Sequence, residues 1–77
     1  MSKLLNQYES LKKIDSSYIY IFRVGIFYNI LNEDAIIMNE KLNLKITNLS
    51  PEICKCGFPV STIDKYKKIL NEKEIKY

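Results

Sequence analysis

The sequence predicts an α+β fold, a small mixed β-sheet flanked by helices. Three observations carry that expectation. A run of β-branched and aromatic residues at 18–24 ends on Gly25; the apolar spacing then turns helical over 27–42; and two short strand-like segments precede a last amphipathic stretch. The 77 residues leave room for one domain, expected over 1–77. Hydrophobic residues make up 47% of the chain, which places it with globular rather than disordered sequences. A domain this small buries only about 60% of its unfolded surface. Its core is therefore marginal, and a partner would add to it.

Leu4 or Leu5, Tyr8, Leu11 and Ile14 recur at helical spacing and predict a first helix over 3–13. Asp15-Ser16-Ser17 is a polar break made of turn formers. In 18–24, Ile19 and Ile21 line one side while Tyr20, Phe22 and Val24 line the other, as in a central strand buried on both faces. Gly25 permits a sharp change of direction. Phe27, Leu31, Ala35, Met38 and Leu42, broadened by Ile30 and Ile37, predict an amphipathic helix over 27–42 with Asn32, Glu33, Asn39 and Glu40 outward. Glu33 and Asp34 read as solvated surface. Leu44-Lys45-Ile46-Thr47 alternates as a half-exposed strand, 48–51 is a turn, and 53–58 is a further strand ended by Pro59. Ser61 and Asp64 are spaced as a capping box, opening a last helix with Ile63, Tyr66 and Ile69 or Leu70 inward. Residues 74–77 are a candidate final strand. The expected order is helix, strand, helix, strand, strand, helix, strand.

The composition excludes several function classes. The chain has no His, which is the usual acid–base group near neutral pH and a common zinc ligand. No paired carboxylates stand at catalytic spacing, so no catalytic residues are assigned. Cys54 and Cys56 supply two thiols where a structural zinc needs about four ligands; they read as reduced strand cysteines, and neither a metal nor a cofactor is expected. Gly occurs only at Gly25 and Gly57, so no phosphate-binding loop of the Gly-x-x-x-x-Gly-Lys type can be built. No apolar run is long enough to cross a bilayer, and the N-terminus turns polar after two Leu, so a soluble cytoplasmic protein without a secretory signal is expected. The net charge of +3 permits nucleic-acid binding without requiring it.

One stretch is more specific. Phe22-Arg23-Val24-Gly25-Ile26-Phe27-Tyr28-Asn29, followed by Glu33-Asp34-Ala35, resembles the N-terminal domain of the MutS family, which carries an aromatic–Arg–apolar–Gly–Asp–Phe–Tyr–Glu run and then an acidic pair and Ala. Three further stretches match in order. Tyr8-Glu9-Ser10-Leu11-Lys12 resembles the family's opening helix, Leu44-Lys45-Ile46-Thr47 its Leu/Ile–x–Leu–Thr strand, and Cys56-Gly57-Phe58-Pro59 its Cys–Gly–Val–Pro turn. Tyr66 and Leu70 fall where the next helix of the family carries Tyr and Leu.

The resemblance implies a DNA-facing site. In the family the Phe of the Phe–Tyr–Glu motif enters the minor groove and stacks on a mispaired base, and the Glu hydrogen-bonds that base. An aromatic wedge compensates for lost stacking, and a mispaired step is cheaper to kink. Phe27 stands at the wedge position and Asn29 at the Glu position. Lys55 lies on the strand leading into the DNA-proximal turn and is a candidate phosphate contact. Departures accompany the match: Asn29 replaces the Glu, Ile26 the Asp, and Val60-Ser61 a Tyr–His pair. From pattern alone Phe27 reads as a core residue in a helix's first turn, Asn29 as a helix-start or surface residue, and Lys55 as a solvated edge or gatekeeper residue of a strand. Lys65, Lys67 and Lys68 read as a solvated helix face or as a backbone-tracking cluster.

The expected function is a non-enzymatic, nucleic-acid-binding accessory module, acting on DNA or RNA within a larger complex, with Phe27, Asn29 and Lys55 as contacts. The alternative is a protein-interaction subunit of a ribonucleoprotein, such as one built around a diversity-generating retroelement reverse transcriptase. Neither reading involves a membrane or a small-molecule substrate.

Overall fold

A computed structural model describes residues 3–77; residues 1 and 2, which the expected 1–77 domain includes, lie outside the described residues. The elements are α1 (Lys3–Ile14), β1 (Phe22–Val24), β2 (Phe27–Leu31), α2 (Asn32–Leu42), β3 (Thr47–Ser50), β4 (Ile53–Pro59), a 3-10 turn (Val60–Thr62) and α3 (Ile63–Glu72). The four strands form one sheet in the order β1-β2-β4-β3. The α+β architecture is as the sequence predicts. The three pairings are all antiparallel, however, where a mixed sheet was expected.

The sheet separates two apolar layers. On one face Ile30, Cys56 and Phe58 pack with Ile19, Ala35, Met38 and Leu70, so α2 and α3 cover this side. Phe58 stacks on Tyr66 with ring centroids 4.2 Å apart. On the other face Leu31 and Ile53 pack with Leu5 and Tyr8 of α1, flanked by Leu4, Tyr20 and Phe22.

Residues 27–31 form a strand, not the first turns of a helix. Residues four apart share a face in a strand as well as in a helix, so the spacing of Phe27, Leu31 and Ala35 runs unbroken across the junction. Gly25, with φ of 63°, makes a two-residue hairpin turn with Ile26. The chain therefore returns as β2, paired on both sides. The helix starts only at Asn32, whose φ of 46° lies in the left-handed region that Asn tolerates better than most residues. The Asn32 Oδ1 then accepts the Cys54 N–H at 3.0 Å, continuing the bonding toward β4 where the strand itself has ended.

The strand expected over 18–24 is shorter than predicted and lies at the sheet edge. Ile19 and Ile21 do face one layer, and Tyr20 and Phe22 the other. Yet the Ile19 N–H bonds to the Lys76 carbonyl and the Tyr20 N–H to Asp34 Oδ2, so the backbone donors are satisfied outside the sheet. The strand expected over 44–47 is displaced to Thr47–Ser50, because β3 and β4 join through a turn at Pro51 and Glu52. Leu49 sits at an irregularity in that pairing and stays exposed. The capping box is not formed: the Thr62 hydroxyl donates to the Pro59 carbonyl instead, and α3 has no side-chain cap. Residues 74–77 form no strand, though Ile75 reaches the core.

Glu33 is exposed as expected, but Asp34 is fully buried. Its Oδ1 accepts a 2.9 Å hydrogen bond from the Lys12 ammonium, which also donates to the Ser16 and Tyr18 carbonyls at 2.9 Å each. All three ammonium protons are therefore used. Asp34 also lies in the first turn of α2, where the helix dipole favours a negative charge. Burial, with the Asp34 charge beside it, pushes the Tyr8 phenol up to about 12.

Removing the cation leaves a buried carboxylate unpaired. Lys12→Met is expected to lower unfolding free energy by about 3 kcal/mol in urea titration. The exposed Lys13→Met serves as control and is expected to change it by less than about 0.5 kcal/mol. Equal stability of the two variants would contradict this role for the pair.

Candidate nucleic-acid interface

Strand alternation puts Phe27, Asn29 and Leu31 on one face of β2. In the register with β4, Phe27 stands opposite Pro59, Asn29 opposite Gly57, and Leu31 opposite Lys55. Directly opposed residues share a face, so the structure places Phe27, Asn29 and Lys55 on the same side of the sheet. Lys55 is one rung beyond Asn29 on that face, roughly 7 Å along the strand, and two rungs beyond Phe27.

That face is also the one packed by α1, but α1 covers only its Leu31–Ile53 end. The hairpin end is bare. Phe27 is 45% exposed, Val24 48% and Ile26 75%, so a two-residue turn carries three large apolar side chains in solvent. Phe27 is thus not the core residue that pattern alone suggests. Asn29 is half-buried, and among the described residues its side-chain amide has no hydrogen-bond partner. It is a mid-strand residue, not a helix start. Lys55 is half-buried in β4, which pairs on both sides, so it is not an edge residue.

The tip is held to the rest of the fold at its own turn. The Val60 N–H donates to the Ile26 carbonyl at 2.8 Å, joining the hairpin to the end of β4. The Arg23 Nε donates to the Gly25 carbonyl at 3.3 Å. Residues 22–29 and 55–60 contain two cations, Arg23 and Lys55, and no carboxylate. Such a surface accepts an anion or a stacked ring without like-charge repulsion.

Other candidates do not join this surface. Lys65, Lys67 and Lys68 are exposed on α3, which packs through Leu70, Ile63 and Tyr66 against the opposite face. Lys65 Nζ lies 5.3 Å from the Tyr66 ring centroid. Cys54 and Cys56 are free thiols on the α2 side of the sheet. Burial pushes the Cys56 thiol up to about 11, which disfavours the reactive thiolate. Among the described residues no group of three or more His, Cys, Asp or Glu side chains is placed to hold a metal, and no helix is long and apolar enough to cross a membrane. The sequence reading missed Val24 as a partner of Phe27 and Ile26 at the tip. The signal was available in the two-residue loop at Gly25, which makes Val24 and Phe27 the closing pair of a hairpin.

Residues 2–76 match the family described as MutS domain I. The DNA mismatch repair protein MutS of Rickettsia rickettsii (strain Sheila Smith) is 32% identical over 79 residues, covering 97% of this chain and 9% of the relative. The DNA mismatch repair protein MutS of Borreliella burgdorferi is 34% identical over 77 residues, again 97% of this chain and 9% of the relative. That of Chlorobium chlorochromatii is 34% identical over 65 residues, or 84% of this chain and 7% of the relative. The chain thus spans less than a tenth of the length of the curated relatives it matches.

The contrast between the tip and the core has a direct consequence for stability. Phe58→Ala is expected to cost about 3–5 kcal/mol, because the ring is buried between Tyr28 and Tyr66. Phe27→Ala is expected to cost about 1 kcal/mol or less, because the ring is half in water already. Urea unfolding of the two variants checks this, and comparable losses would return Phe27 to the core.

Proposed function

This chain belongs to the MutS domain I family, and on that premise we propose that it is a non-catalytic module that binds nucleic acid through the bare end of its sheet, with Phe27, Asn29 and Lys55 as contacts. The observation that carries the reading is the exposure of Phe27 at the apex of a short hairpin fixed to β4. A ring held there contributes little to folding and is available to stack on a base. Base–aromatic stacking is worth about 1–3 kcal/mol per base. Asn29 follows on the same face, its amide without a hydrogen-bond partner among the described residues and able both to donate and to accept. Lys55 supplies a positive charge for a phosphate two rungs away.

The relatives are DNA mismatch repair proteins, so a duplex with one mispaired or unpaired base is the first ligand to test. Such a site is already partly unstacked, and a wedge enters it at lower cost than a matched step. In this reading the chain acts within a larger complex, whose contacts add to a core this small.

A second reading is favoured by Ile26, the most exposed residue of the tip. In it the apolar tip docks onto a larger protein of a ribonucleoprotein assembly, which adds stability to a small domain.

Fluorescence anisotropy with labelled matched duplex, mismatched duplex, single-stranded DNA and RNA separates the two. The first reading expects salt-dependent binding that is tightest for the mismatched duplex and weakened roughly 10-fold by Phe27→Ala. Absence of binding to all four at low salt, or equal affinity of Phe27→Ala, contradicts it.

A further inference from the structure

Gly57 is required by space rather than by backbone conformation. Gly25 is the glycine with a positive φ; Gly57 is not in the left-handed region, so its conformation is open to any residue. What excludes a side chain is its surroundings. A Cβ on Gly57 would collide with the Tyr28 carbonyl oxygen and stand 2.9 Å from the Asn29 Oδ1. The Asn29 side chain thus lies across β4, in volume that a Cβ at position 57 would contest.

We propose that Gly57 is the positioning residue for Asn29: its bare Cα is a seat that holds the amide flat against β4, so that the amide edge meets a base stacked on Phe27. The inference rests on the nucleic-acid reading given above. The neighbouring rungs explain why the seat matters. On one side is the exposed Phe27 ring opposite Pro59, which has no N–H to offer; on the other is the buried Leu31. Asn29 is therefore the polar side chain between an aromatic ring and an apolar floor, and among the described residues no hydrogen bond to its amide competes with that position. The room left by Gly57 lets the amide lie over β4, in space that any larger residue at that position would take from it. The class of ligand follows from the group itself: a base edge with a donor beside an acceptor, which a neutral amide can match.

The wild type, Asn29→Ala, Asn29→Gln and Gly57→Ala test this, the last also combined with Asn29→Ala. The longer Gln keeps the amide but not the fit over Gly57, and leaves β4 untouched. The quantity read is the affinity for a duplex with one mispaired base divided by that for the matched duplex, at unchanged thermal midpoint. Both Asn29 variants are expected to lose roughly 3- to 10-fold in this ratio, the worth of one hydrogen bond. Nuclear Overhauser contacts between the Asn29 side-chain amide and the Gly57 α protons are expected in the free wild type. Gly57→Ala, if folded, is expected to lose as much as Asn29→Ala and no more when the two are combined. A ratio for Asn29→Gln equal to wild type, or absence of the Asn29–Gly57 contact, overturns the seat alone; a wild type that binds without any mismatch preference overturns the seat together with the expected order of affinities. A wild type that binds no nucleic acid overturns the interface reading and the seat with it.

Discussion

The ammonium of Lys12 joins α1 to the loop that follows it and to α2, 22 residues further on. It leaves α1, reaches the fully buried carboxylate of Asp34 in the first turn of α2, and ties the Ser16 and Tyr18 carbonyls of the intervening loop. The second Asp34 oxygen takes the Tyr20 N–H, so the segment entering β1 is fixed by the same carboxylate. A buried ion pair contributes position more reliably than net stability. Here the position has a functional consequence. With α1 anchored at the Leu31–Ile53 end of the sheet, the hairpin end of that face is left uncovered. The exposed tip is thus a product of where α1 is held as well as of what the hairpin contains.

Much of the fold was legible because periodicity reports burial. The alternation of Ile19 and Ile21 against Tyr20 and Phe22 assigned those side chains to the correct layers, and the amphipathic pattern of residues 63–70 located α3. What was not legible depends on partners far away in sequence. Nothing local says that the Ile19 and Tyr20 N–H groups go to Lys76 and Asp34 rather than to a strand. The helix misread over 27–31 arose because positions 27, 31 and 35 keep one spacing through both periodicities, and the break at Asn32 is a backbone angle rather than an apolar signal. Asp34 was read as surface for a related reason: its partner lies 22 residues earlier.

The candidate site was legible in another way. Composition excluded histidine-dependent chemistry and a phosphate loop, but Phe27, Asn29 and Lys55 were singled out only by the family resemblance. Pattern alone placed Phe27 inside. Register supplied what neither could, since it puts all three residues on one face and sets Asn29 over Gly57. The replacements Ile26 and Asn29 leave this tip without a carboxylate, flanked by Arg23 and Lys55. In the proposed reading a neutral amide beside an exposed ring would meet a base by hydrogen bonding alone, and an additional apolar residue enlarges the surface that water must leave when anything docks there.

The measurement closest to the central claim is a backbone amide NMR titration of the ¹⁵N-labelled chain with a duplex carrying one mispaired base. If the bare end of the sheet is the contact surface, the shifts concentrate in residues 23–29 and 55–60 while α3 stays near its free positions. Shifts centred on α3 around Lys65, Lys67 and Lys68, with the hairpin tip unmoved, would contradict the account.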